Sequence, residues 1–168
     1  MKSKWTIPLT VAATLLVVIL VPLLVLATGV IDMGADTKPG FVERNLAPWA
    51  VDRSLDRRAS DQKNPYADDP KSIAEGLEHY HMDCVMCHGA PGVEPYDLAK
   101  GLNPSAPSLN NSDMSDGELF WVIKHGIRMT PMPAFGPTHS DEEIWEIAAF
   151  IRHLPHLTDK ERDTLRSM

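Results

Sequence analysis

Hydrophobic positions fall along this chain in two regimes. From Trp5 to Ile31 they run almost unbroken and without charge, through I-P-L-T-V-A-A-T-L-L-V-V-I-L-V-P-L-L-V-L-A-T-G-V-I. Beyond Ile31 they return only at intervals, separated by charged and turn-forming residues. The first run exceeds the roughly 7–15 residues of a signal-peptide core and meets the ~20 that a membrane span needs. Residues 1–31 are therefore expected to form one N-terminal transmembrane helix, with Pro8 near its start and Pro22 kinking its interior. The competing reading is a long cleaved signal peptide, with L-A-T-G around Ala27 as a loose cleavage site. Lys2 and Lys4 precede the run and Asp32 and Asp36 follow it, which predicts a cytoplasmic N-terminus. Everything downstream then faces outward, in a bacterium into the periplasm.

Residues 32–70 read as a spacer, interrupted by Pro39, Pro48, Pro65 and Pro70 and loosened by Gly34 and Gly40. Within it, P-W-A-V-D-R-S-L-D-R-R-A predicts a short amphipathic helix with Pro48 at its first position. From residue 71 the helical signals are regular. Ile73, Leu77, Tyr80 and Cys84 share one face, and Ser115 with Glu118 forms a capping box before L-F-W-V-I-K-H. Ser140 with Glu143 repeats that device before I-W-E-I-A-A-F-I-R-H-L, which stops ahead of Pro155. No segment alternates as a strand does. The pattern predicts an all-α domain over 71–157, followed by a polar tail at 158–168. The stretch from Gly89 to Ser112 is long for so small a domain and is expected to wrap something. Glu142, Glu143 and Glu146 read as a helix start and a solvated face.

The formal charge of −7 argues against a nucleic-acid partner, which would need a basic face. Residues 71–157 hold five lysines and arginines against twelve aspartates and glutamates, so the deficit lies in this domain. A basic or largely neutral partner face is the expected complement. Both cysteines of the chain stand in C-V-M-C-H, as Cys84 and Cys87, followed directly by His88. That spacing is the one at which two thiols at a helix end can each add to a haem vinyl group, with the next histidine beneath the iron. A thioredoxin-type pair would need a βαβ context, a zinc site a second ligand pair, and a plain disulfide no histidine at all. A sixth iron ligand is expected in I-K-H-G-I-R-M-T-P-M-P-A-F-G. Met132, held between Pro131 and Pro133, is preferred there, with Met129 as rival and His125 or His139 as lesser alternatives. The remaining histidines, His79 among them, read as surface or hydrogen-bonding groups.

With G-L-E-H-Y, C-V-M-C-H-G, P-S-L at Pro107–Leu109, M-P-A-F and the helix around Trp145 and Phe150, residues 72–154 resemble the class I monohaem cytochromes c. The likeness is strongest to the small domains attached to bacterial respiratory oxidases and dehydrogenases. It implies one covalently bound haem c on Cys84 and Cys87, with His88 and Met132 as axial ligands. It implies that Gly76 and Tyr80 pack against the last helix near Phe150. It also implies that the Pro107 carbonyl accepts a hydrogen bond from His88 Nδ1, with Pro104 as the alternative. The function it implies is single-electron transfer in a respiratory chain, between redox partner proteins, with no catalytic constellation of its own. Two other outcomes stay open: a subunit permanently docked in a larger oxidoreductase complex, and a haem gas sensor or enzyme whose methionine ligand is displaceable.

Overall fold

In the computed structural model, residues 6–167 are described; Lys2, Lys4 and Trp5 lie outside them. The chain divides into two units, Met1–Thr37 and Lys38–Met168. The first unit is α1 (Thr6–Ala27) and a short turn-rich stretch. Its helix carries Pro22 inside and is long and apolar enough over Ile7–Ala27 to cross a membrane. From Ile7 to Ala27 its side chains are exposed, as those of a helix without a protein core to enter are.

The second unit contains α2 (Phe41–Arg58), α3 (Pro70–Asp83), α4 (Val85–His88), α5 (Asp116–His125), α6 (Asp141–His153) and α7 (Asp159–Arg166). Short 3₁₀ turns occur at Asp97–Gly101 and Leu154–His156. No strand occurs among the described residues; an isolated bridge pairs Ala90 with Val93. The starts of α3, α5 and α6 have local causes. Asp69 caps α3 by accepting the Ser72 N–H at 3.1 Å, with Pro70 in the first turn. Ser115–Glu118 and Ser140–Glu143 form the two predicted capping boxes of α5 and α6.

The core is the crossing of α3 and α6. Tyr80 and Phe150 are fully buried, with ring centroids 5.3 Å apart. Gly76 makes the crossing possible, because a Cβ there would lie 2.1 Å from the Glu146 carbonyl oxygen. Ile144, Ile147, Leu119 and Ile123 complete the apolar cluster between α5 and α6. Phe120 stacks on Trp145 at 4.3 Å.

Three sequence expectations change. First, the amphipathic helix of the spacer is longer than expected, and Pro48 lies inside it rather than at its first position. The following segment is wired to the domain: the Asn64 amide donates to the Trp145 carbonyl at 2.8 Å, and its backbone N–H donates to Asp116. Gly117 passes so close to Ser60 that a Cβ would meet its carbonyl oxygen at 1.8 Å. Second, residues expected as a polar tail form α7. A third capping box, Thr158–Glu161, starts it. Leu165 buries its single large apolar side chain, and Arg162 and Arg166 donate to the carbonyls of Pro91 and Gly92. One leucine among charges gives too weak a periodic signal to announce a packed helix. Third, Glu146 is not on a solvated face but only 4% exposed. The close approach at Gly76 brings it against Glu75, and burial first, then that carboxylate, pushes its pKa up to about 7.

Candidate haem site

The C-V-M-C-H segment is the short helix α4 and the residue before it. Cys84 closes α3 and is buried; Cys87 is half-buried one turn later, and both thiols are free. His88 ends α4, and Gly89 follows at φ +61°, a left-handed conformation that turns the chain away. The Tyr80 hydroxyl donates to the Gly89 carbonyl at 2.7 Å, pinning this turn to α3.

The turn at residues 126–136 is built as tightly. Gly126 takes φ +64°, with Pro133 backbone so near that a Cβ would meet it at 2.6 Å. The Ile127 N–H donates to the Met132 carbonyl, and the Met132 N–H donates to Thr130 Oγ1 at 3.2 Å. The N–H groups of Phe135 and Gly136 then satisfy the carbonyls of Ile123 and Lys124 at the end of α5. Met132 thus sits in a loop closed on both sides.

These segments meet at one cleft, with about 990 Å³ of atom-free space including its open mouth. Cys84, Cys87, His88, Pro107 and Met132 all line it, together with Leu119, Ile123, Phe135, Ile147 and Ile151. Pro104 also lines it; Met129, His125 and His139 do not. Met129 instead projects into solvent, 90% exposed. Nδ1 of His88 lies 2.7 Å from the carbonyl oxygen of Pro107, not that of Pro104. The long 89–112 stretch supplies Leu102, Pro104, Ser105, Ala106, Pro107 and Leu109 as one wall.

A family model described as cytochrome c oxidase, cbb3-type, subunit III, matches residues 71–151. Residues 71–151 belong to the class I cytochromes c. The cytochrome domain is all-α and implies one covalently bound haem c. No curated protein matches the chain. Among solved structures, cytochrome cL of the marine methylotrophic bacterium Methylophaga aminisulfidivorans is 21% identical over 80% of this chain and 79% of that one, with a TM-score of 0.43.

The residues present fit such a group. The cleft is lined almost entirely by apolar side chains, with Asp83 the one carboxylate on its wall among the described residues. Burial lowers the His88 pKa, against an opposing pull from the Pro107 carbonyl, so the ring is neutral at pH 7. With Nδ1–H directed at that carbonyl, the tautomer leaves the Nε2 lone pair free for a metal. Burial likewise raises the Cys84 thiol to about 12, so it is held as a thiol rather than a thiolate in the cofactor-free chain. Asp83 on the cleft wall was not anticipated from the sequence, although its place directly before Cys84 is the signal that puts it there.

Proposed function

We propose that this cytochrome is a membrane-anchored, periplasm-facing carrier of single electrons in a respiratory chain. In this reading residues 1–31 are the anchor, 32–70 link it to the haem domain at 71–157, and 158–168 brace that domain. Cys84 and Cys87 hold the haem as thioethers. His88 would supply Nε2 and Met132 its thioether sulfur as ligands to the iron, while the Pro107 carbonyl would fix the imidazole plane. When bound, the haem supplies a one-electron Fe(III)/Fe(II) couple. The chain's own residues exclude water, hold two fixed ligands and keep ligand exchange out of the transfer, so that little rearranges with the charge.

The observation that carries this reading is the apolar cleft whose wall holds both thiols, His88 with its Nδ1 already engaged, and Met132 in a closed loop. The test is spectroscopic. The oxidised protein shows the far-red band of iron–thioether ligation, and the reduced protein is slow to bind carbon monoxide. Met132→Ala abolishes that band and leaves haem attached, while Met129→Ala retains it. A high-spin spectrum with rapid carbon monoxide binding refutes His/Met ligation and favours a sensor or enzyme; loss of the band in Met129→Ala alone refutes the ligand assignment.

A second reading, permanent membership of a larger oxidoreductase complex, is favoured by α2. Phe41, Val42, Leu46 and Trp49 on that helix are more than half exposed, which is unusual for four large apolar side chains on one short helix. Purification in mild detergent separates the two readings. A complex subunit brings stoichiometric partners that Trp49→Glu releases; a free carrier brings none.

A further inference from the structure

At the edge of the haem cleft, where Asp83 stands on the wall, α3 and the approach to α6 bring together three metal-ligating side chains that the electron-transfer reading does not use. His79 and Asp83 stand four residues apart on one face of α3, and His139 precedes the N-cap of α6. One ring nitrogen of each histidine and one carboxylate oxygen of Asp83 lie within 4.8 Å of one another. His139 Nε2 is 3.4 Å from Asp83 Oδ2. A tetrahedral zinc ion with bonds near 2.1 Å sets neighbouring ligand atoms about 3.4 Å apart, so this pair is already at ligand spacing.

The hydrogen bonds around the two rings leave the right atoms over. His139 Nδ1 is 2.9 Å from Thr138 Oγ1, which fixes the ring and leaves Nε2 towards Asp83. His79 Nε2 lies 3.8 Å from Glu143 Oε1, whose carboxylate is itself anchored by Ser140. His79 Nδ1 is buried and has no hydrogen-bond partner. A buried ring nitrogen without a partner is a cost that a metal ion would remove. An outer carboxylate facing the far nitrogen of a ligating histidine is the usual support of such a site. Asp83 is one-third exposed on its side chain, giving an ion a way in.

We propose that His79, Asp83 and His139 form a second, non-haem metal site for a divalent zinc-like ion, with water in the fourth position. Two neutral imidazoles and a carboxylate suit zinc among the borderline divalent ions. The ion would join the end of α3, next to the haem-binding pentapeptide, to the loop that carries Phe135 into the start of α6.

The test is calorimetric titration of Zn(II) into the full-length, haem-loaded protein in detergent at pH 7.5, with the haem spectrum recorded alongside. One equivalent binds in the micromolar range or tighter, and His79→Gln or His139→Gln weakens it by about tenfold or more. X-ray absorption at the zinc edge on the wild-type protein keeps the proposal testable if either variant fails to fold; it shows two imidazoles with oxygen donors. No micromolar equivalent overturns the proposal and leaves the three residues as an ion pair with a neighbouring ring. Undiminished binding in both variants, or an edge spectrum with a different ligand set, also overturns it and assigns the zinc to other surface groups.

Discussion

Gly76→Ala tests the central packing claim with a single methyl group. Built on the existing backbone, the new Cβ lies 2.1 Å from the Glu146 carbonyl oxygen, 2.6 Å from its carbonyl carbon and 2.9 Å from Phe150 Cβ. Two of those neighbours are backbone, so no rotamer change relieves the clash. α3 and α6 must separate by roughly 1.4 Å to restore ordinary contact near 3.5 Å. Separation on that scale forfeits at least a quarter to a half of the dispersion well across the interface. The interface includes Tyr80 against Phe150, both fully buried. Overpacking of this kind costs about 1–3 kcal/mol, and a backbone partner puts it at the upper end. Alanine's better helix propensity returns about 1 kcal/mol. The net expectation is a loss of about 2 kcal/mol, or roughly 5–10 °C in Tm for a domain of this size.

The measurement is thermal unfolding of the haem-loaded protein by far-ultraviolet circular dichroism. Gly101→Ala serves as the control, because a Cβ there meets nothing within 4 Å. A Gly76→Ala protein as stable as wild type, or more stable, refutes the reasoning: propensity alone would then be acting, and the helices would not cross at contact distance.

The remaining expectations are shorter to state. Replacing both Cys84 and Cys87 by serine makes the haem extractable into acidified organic solvent, whereas either single variant keeps it through one thioether; extraction of all the haem from one single variant would assign the attachment to one cysteine. Glu146→Gln removes a pH dependence. Because the folded state holds a proton that the unfolded chain releases above about 4.5, wild-type stability declines as pH rises from about 4.5 through about 7 and is level beyond. The decline is on the order of 3 kcal/mol, and denaturant titrations across that range should find it missing in the glutamine variant. Glu75, whose pKa is lowered by its hydrogen bond to Glu146 and then by Lys71, acts in the opposite sense and only below its ordinary carboxylate range.

What the sequence reveals about this domain follows from how local each signal is. The capping boxes at Ser115 and Ser140 occupy four residues each, and both form as written. The C-V-M-C-H segment is equally self-contained. The packing of α7 is not local: Leu165 gains its burial from α3 and the 91–92 turn, both distant in sequence. Glu146 shows the same limit from the other side. Its position three residues after Glu143 fits a solvated helix face, and only the missing Cβ of Gly76, seventy residues earlier, decides that it is buried. In sequence, Pro48 suits a helix start, where its missing N–H costs least. In the fold it lies inside α2, whose first turn begins at Phe41 after Gly40.

The cleft changes the meaning of the core as well. Ile147 and Ile151 line it along α6, while Ile144 and Phe150 on the same helix are fully buried in the cluster against α3 and α5. One helix therefore serves two apolar surfaces, and only one of them is covered by protein. The other, faced by Leu119, Ile123 and Phe135, lines the cleft. An all-α domain of this size buries too little surface to stand easily alone. In the proposed reading, attachment through Cys84 and Cys87 would set an apolar cofactor at the end of α3, on the element already fixed by the Gly76 crossing. The same feature that makes the domain redox-active in the proposed reading thus completes its core, and stability and haem content should rise and fall together in every variant that loosens α3 from α6.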